Sequence, residues 1–163
     1  MQVTLKVDNL LAAQGALSTI GQKISHTKPL MKELGNYLYN ITRDSFDKKK
    51  DPNGRSWTPL SNVTIQKKLK KGKPTKLLFQ EGELQDKFIY EISKDEIVIG
   101  TNANNDGFLY PAVHQFGTNN AWGRGIKVEA RAFMPITIDG KLYDDVENEL
   151  EKIVVDFAES ALE

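Results

Sequence analysis

Few side chains in this sequence could do chemistry, and their spacing limits what each could do. His114 sits in Tyr110-Pro111-Ala112-Val113-His114-Gln115-Phe116-Gly117, a short stretch dense in polar groups and rings. An imidazole there could act as a general base, but no motif marks a nucleophile beside it. The other histidine, His26, is far away in sequence, and the chain has no cysteine. One nearby histidine with no thiolate makes a poor transition-metal site. His114 therefore reads as a structural or interfacial residue rather than a catalytic one. Glu81, Glu83 and Asp86 offer a carboxylate pair, yet nothing in their spacing sets a separation or a pKa, so they read as solvated surface. Asp51-Pro52-Asn53-Gly54 has a faint likeness to a calcium loop. Aligning Gly54 with the glycine such a loop requires puts Lys49 where the first carboxylate belongs and Leu60 where the bidentate glutamate belongs. It reads as a turn. The expectation is no catalytic residue, no metal and no cofactor.

Binding chemistry is better represented. The run Lys67-Lys68-Leu69-Lys70-Lys71-Gly72-Lys73-Pro74-Thr75-Lys76 carries six lysines in ten residues. It could neutralise phosphates. It lacks arginine and interleaved aromatics, so base stacking or bidentate base reading is not indicated. With its glycine and proline it is expected to be an exposed, mobile loop. Gly117–Gly125 holds Trp122 and Arg124 among three glycines. A loop of that composition could order on contact, and an aromatic with an arginine is typical of interface hot spots.

The net charge is zero but unevenly placed. Residues 1–76 carry thirteen lysines and two arginines against five acids, a net +10, and residues 77–163 carry a net −10. Such a split suggests opposed surfaces and head-to-tail self-association. At 163 residues the chain suits one domain, with 47–87 as a loop-rich basic insertion. Without cysteine there is no disulfide framework. The first residues lack a signal-peptide pattern, and no apolar run approaches the ~18 residues of a membrane span.

The elements that must position these groups follow from periodicity. Residues 2–7 alternate like a half-buried strand. Leu10, Ala13, Leu17, Ile20 and Ile24 mark one helix face, and Leu30, Leu34, Leu38, Ile41 and Phe46 mark another after Thr27 and Pro29. Trp57 should tie the following turn to the body, and Ser61 can cap a short helix through Val63, Ile65 and Leu69. Leu77 to Phe88 reads either as a broken helix or as an extended segment with a turn at Glu81-Gly82. Phe88, Tyr90 and Ile92 alternate, as do Ile97 and Ile99, which predicts a hairpin. Residues 134–138 read as a strand with Ile136 and Ile138 inward. A closing helix is expected from near Gly140, with Leu142, Val146, Leu150, Ile153 and Phe157 facing the core. Trp57, Phe116 and Phe133 are expected to be buried. The fold class is α+β: a small, mostly antiparallel sheet packed on long helices from both ends of the chain.

Four of these segments together resemble a known family. Asp51-Pro52-Asn53-Gly54-Arg55-Ser56-Trp57-Thr58-Pro59-Leu60-Ser61 is similar to the "DPDG-x-x-W-x-PLS" segment of the phage virion morphogenesis proteins, the tail-completion proteins of Mu-like phages and prophages. Leu78-Phe79-Gln80-Glu81-Gly82-Glu83-Leu84 resembles their "L-x-x-T/S-G-x-L". Val98-Ile99-Gly100-Thr101-Asn102 followed by residues 110–117 resembles "VGTN-x-x-YAAVHQFG". Ala130-Arg131-Ala132-Phe133-Met134-Pro135 resembles "PARPFLG". Glu81 stands where the family often has a hydroxyl residue, and Ala132 replaces a proline. The resemblance implies a non-enzymatic virion protein, made in the host bacterial cytoplasm, that completes the tail or joins it to the head. It implies partners among copies of the chain in a ring of six, among tail-tube or head-neck proteins, and DNA passing the lumen, with no membrane. Contact residues would be Trp57, Tyr110, His114, Gln115, Phe116, Trp122, Arg124, Arg131 and Phe133, with Lys67, Lys68, Lys70, Lys71, Lys73 and Lys76 facing nucleic acid.

Overall fold

A long helix, α1 (Lys28–Lys48), is the post on which the rest is built. The computed structural model describes residues 18, 21–22, 27–79, 82–93, 96–103, 110–121 and 123–161. The expected first strand and first helix, Trp122 and Glu81 lie outside the described residues. Proline in the first turn of α1 loses no hydrogen bond. The helix ends at Lys49, whose left-handed backbone returns its N–H to Ser45 O. The predicted stripe faces inward, and Phe46 is 3% exposed. Thr42 and Ser45 are also buried on this face and satisfy their hydroxyls on Leu38 O and Ile41 O at 2.9 and 3.0 Å.

The predicted hairpin is present as β1 (Phe88–Ile92) and β2 (Ile97–Thr101), antiparallel, with Phe88 opposite Thr101 and Ile92 opposite Ile97. It lies against α1. Gly35 makes the approach possible, because a Cβ there would meet the Tyr90 hydroxyl at 2.9 Å and Ile92 at 3.1 Å. Tyr90 in turn donates to Asn36 Oδ1 at 2.8 Å. A final helix, α5 (Asp144–Ser160), packs on α1. It runs antiparallel to α1: Tyr143 at its start lies in the field of Asp51 and Arg55, whereas Asp145 and Glu149 face Tyr37, nearer the start of α1. The acidic first turn of α5 suits the positive end of its dipole.

The core sits at the C-terminal end of α1. Phe46, Trp57, Leu84, Ala103 and Phe133 are buried together, with Phe88, Tyr110 and Met134 against them. Phe46 is the hub, with ring centroids 5.7 Å from Trp57, 5.2 Å from Phe133 and 6.4 Å from Phe88. Most of these pairs meet edge-on, the arrangement the ring quadrupoles favour.

The architecture is α+β as the sequence implies, but several local expectations give way. The strands form two separate ribbons among the described residues, not one sheet. The glycine-rich loop after Gly117 is itself a hairpin, β3 (Thr118–Ala121) with β4 (Ile126–Val128). Tyr110–Phe116 is a short helix, α4. Residues 134–138 form no strand: a turn closes from Thr137 to Lys141, with Gly140 at φ 78°. Asp139-Gly140 turn chemistry thus overrides the alternation, and Ile138 is 79% exposed at the tip. The loop-rich segment 47–87 holds two helices, α2 (Asn62–Lys70), where a short helix was expected, and α3 (Glu83–Asp86). Ser61 caps α2 as predicted, its hydroxyl accepting from Thr64 N at 3.2 Å.

Candidate functional site

Three of the segments singled out in the sequence meet in space and lock one another. Gln115, on α4, is buried and uses its whole amide. Its Nε2 donates to Met134 O at 2.9 Å and Ile136 O at 3.0 Å, while its Oε1 accepts from Phe133 N at 2.9 Å and Met134 N at 3.0 Å. A side chain that carries both donors and acceptors is needed to serve both kinds of backbone group. One residue earlier, His114 O accepts from Arg131 N at 2.7 Å. Two residues later, Gly117 takes φ 72°, and a Cβ there would lie 2.9 Å from Ala130 N. Only glycine lets the chain turn so closely past the incoming strand.

The turn segment joins from the other side. Asp51 N donates to Arg55 O and Arg55 N to Asp51 Oδ1, each at 2.8 Å, with Gly54 at φ 79°. That delivers Trp57 into the core, where its Nε1 donates to Ala132 O at 2.8 Å. Buried Arg131 reaches back, its Nε to Thr58 O at 2.9 Å and its Nη2 to Pro59 O at 3.3 Å. Burial lowers the guanidinium pKa, and Glu129 partly offsets this. Three segments far apart in sequence are thus held by indole, guanidinium and amide donors on backbone carbonyls.

His114 stands beside this lock. Its Nδ1 is buried and has no hydrogen-bond partner. Burial first, then the charges of Arg131 and Lys68, lower its pKa to about 4, so the ring is neutral near pH 7. Tyr110 meets it edge-on at 6.3 Å. Among the described residues no carboxylate or nucleophile is paired with it, and none form a cluster of three or more histidine, cysteine, aspartate or glutamate side chains able to hold a metal ion.

The lysine run divides. Lys67, Lys68 and Lys70 lie on α2, and the chain turns at Lys71-Gly72. Lys68 folds inward, its Nζ donating to Pro74 O at 3.1 Å, Lys76 O at 3.0 Å and Phe79 O at 2.5 Å. It fastens the segment that was expected to be a mobile loop, and burial lowers its pKa. Lys76 lies over the Phe79 ring, 5.2 Å from its centroid. Lys67, Lys70 and Lys71 point to solvent.

Of the residues nominated for contact, Trp57, Gln115, Arg131 and Phe133 are buried in the lock. Phe116, Tyr110 and His114 are partly exposed, and Arg124 is exposed in the β3–β4 turn. Sequence reasoning missed an apolar groove of about 470 Å³ between α1 and α5, lined by Leu34, Leu38, Ile97, Leu150, Val154 and Val155. Its only signal was Val154-Val155 side by side in the closing helix, more apolar width than one buried stripe uses.

This arrangement of locked motifs coincides with a family signature. The chain matches the phage virion morphogenesis family over residues 8–162. The chain belongs to that family. A relative, the Mu-like prophage FluMu G protein 2 of Haemophilus influenzae, is 25% identical over 135 residues, covering 83% of this chain and 85% of the relative. No solved structure matches. Membership makes this a phage-associated protein with a role in building the virion. None of its described helices is long and apolar enough to cross a membrane.

Proposed function

We propose that this protein completes the phage tail or joins the tail to the head, as a structural subunit that assembles in a ring. One observation supports the reading beyond family membership: the buried side chains the motifs supply are spent on internal backbone hydrogen bonds. Trp57, Gln115 and Arg131 hold a scaffold together, whereas His114 meets no nucleophile or acid partner among the described residues. A scaffold of this kind presents surfaces. Ring closure needs one patch to meet a different patch, which agrees with the segregated charge of the chain. The partners under this reading are further copies of the chain and tail-tube or neck proteins, met in the host cytoplasm.

Removing the gene from the phage or prophage that carries it should give filled heads and tails that fail to join, or tails of abnormal ends, by electron microscopy after induction. Resupplying the wild-type chain should restore joined particles. Normal particles without the gene would reject the assignment. The exposed Lys67, Lys70 and Lys71 also suit a second reading, a nucleic-acid-binding module. Submicromolar binding of the isolated protein to duplex DNA that falls steeply with salt would favour it.

A further inference from the structure

The α1–α5 groove and the exposed face of α2 are complementary in charge. The groove is apolar, with Glu147 and Glu151 also lining it. Both belong to a helix with seven acids and one lysine, Asp144–Ser160. Val154 and Val155 remain 42% and 52% exposed, which is unusual for two adjacent β-branched residues on a packed helix. On α2, Val63, Lys67 and Lys70 are spaced i, i+4, i+7 and share one exposed face. Val63 and Leu69 are 64% and 57% exposed, and α2 contributes no buried residue to its own subunit.

The two surfaces are anchored at different levels along α1 within one chain. The groove uses Leu34 and Leu38 of α1 and Ile97, at the Ile92–Ile97 end of the hairpin. Lys68 and Arg131 tether the α2 region to the aromatic core at the Phe46 and Phe88 end. Leu34 and Phe46 are about 18 Å apart along the helix axis at 1.5 Å per residue.

We propose that α2 of one copy docks in the α1–α5 groove of the next through the face that carries Val63, Lys67 and Lys70, with Val63 against the apolar floor and the two lysines facing Glu147 and Glu151. This inference rests on the proposed self-assembly and names its interface. Because the two patches differ, the contact is heterologous and propagates from copy to copy. The charges steer docking and fix register, and the apolar contact holds it.

The test uses the full chain and two charge-reversal pairs, Lys67→Glu/Lys70→Glu and Glu147→Lys/Glu151→Lys. Solution mass is followed by sedimentation at low and high salt. The wild type should associate, more weakly as salt rises. Each pair alone should weaken self-association on the order of a hundredfold, since like charges then face each other. Mixing the two pairs should restore association, because each supplies the surface the other lacks. Unchanged unfolding curves guard against loss of folding, and Lys70→Glu and Glu151→Lys singly repeat the test if either pair misfolds. A wild-type chain that stays monomeric, variants that associate like wild type, or a mixture that stays apart would each overturn the interface. Variants that associate normally would leave self-assembly standing and reject only these surfaces. The gene-removal experiment tests the tail-completion role separately.

Discussion

Replacing Gln115 by alanine removes four hydrogen bonds in one step. Phe133 N, Met134 N, Met134 O and Ile136 O all lose a partner 2.9–3.0 Å away. A typical bond contributes about 1 kcal/mol net, and a buried group left unpaired costs about 1–3 kcal/mol. Water entering the space left by the amide would recover part of this. The expected loss is therefore about 3–4 kcal/mol, a large share of the roughly 5–15 kcal/mol that holds a domain folded. Urea unfolding at neutral pH measures it as a lower midpoint with an unchanged slope. Gln115→Glu sharpens the reasoning. A carboxylate can still accept from Phe133 N and Met134 N but turns its second oxygen toward two carbonyls. Its folded-state pKa must then rise above the ordinary ~4.3 of glutamate. A raised acid pKa gives relative stability that is present below the unfolded value and lost as pH rises through the folded one. The deficit of Gln115→Glu against wild type should therefore shrink in acid, while that of Gln115→Ala stays level. An alanine variant within about 1 kcal/mol of wild type would show that the amide does not lock the segments.

Gly117→Ala should destabilise by about 2–4 kcal/mol, combining left-handed strain with contact on Ala130 N, read as a lower thermal midpoint. His114 should titrate near pH 4 by NMR. Its neutral form is favoured by folding, so this stability is complete above the unfolded pKa of about 6.5 and declines as pH falls toward 4, by up to about 3 kcal/mol, a slope absent in His114→Gln. Lys68→Met should speed proteolysis within residues 73–79 by freeing three carbonyls, whereas Lys67→Met should not.

The sequence revealed most where one local signal had no competitor. The α1 stripe, the Ser61 cap and the β1–β2 alternation all appear as read, because periodicity and capping act over a few residues. Failures arose where two local signals conflicted. Around Ile138, strand alternation lost to Asp139-Gly140 turn chemistry. In the lysine run, Gly72 and Pro74 suggested a free loop, but Lys68 finds three carbonyls that only tertiary folding brings near. The motif residues were visible as unusual, and of Trp57, Phe116 and Phe133, all expected to be buried, Trp57 and Phe133 are, while Phe116 stays partly exposed. That Gln115 and Arg131 face inward was not legible, since their partners lie up to 73 residues away. The α1–α5 groove was equally hidden, because it is made by two helices from opposite halves of the chain.

The bond from Trp57 to Ala132 O spans 75 residues, and that from Arg131 to Thr58 O spans 73. Contacts of such separation make folding slow, because a long loop must close before any reward arrives. During synthesis the indole waits without its acceptor until the 75 residues that separate it from Ala132 have followed it. Chains that stop short of Ala132 therefore lack the acceptor that closes the aromatic core over Trp57.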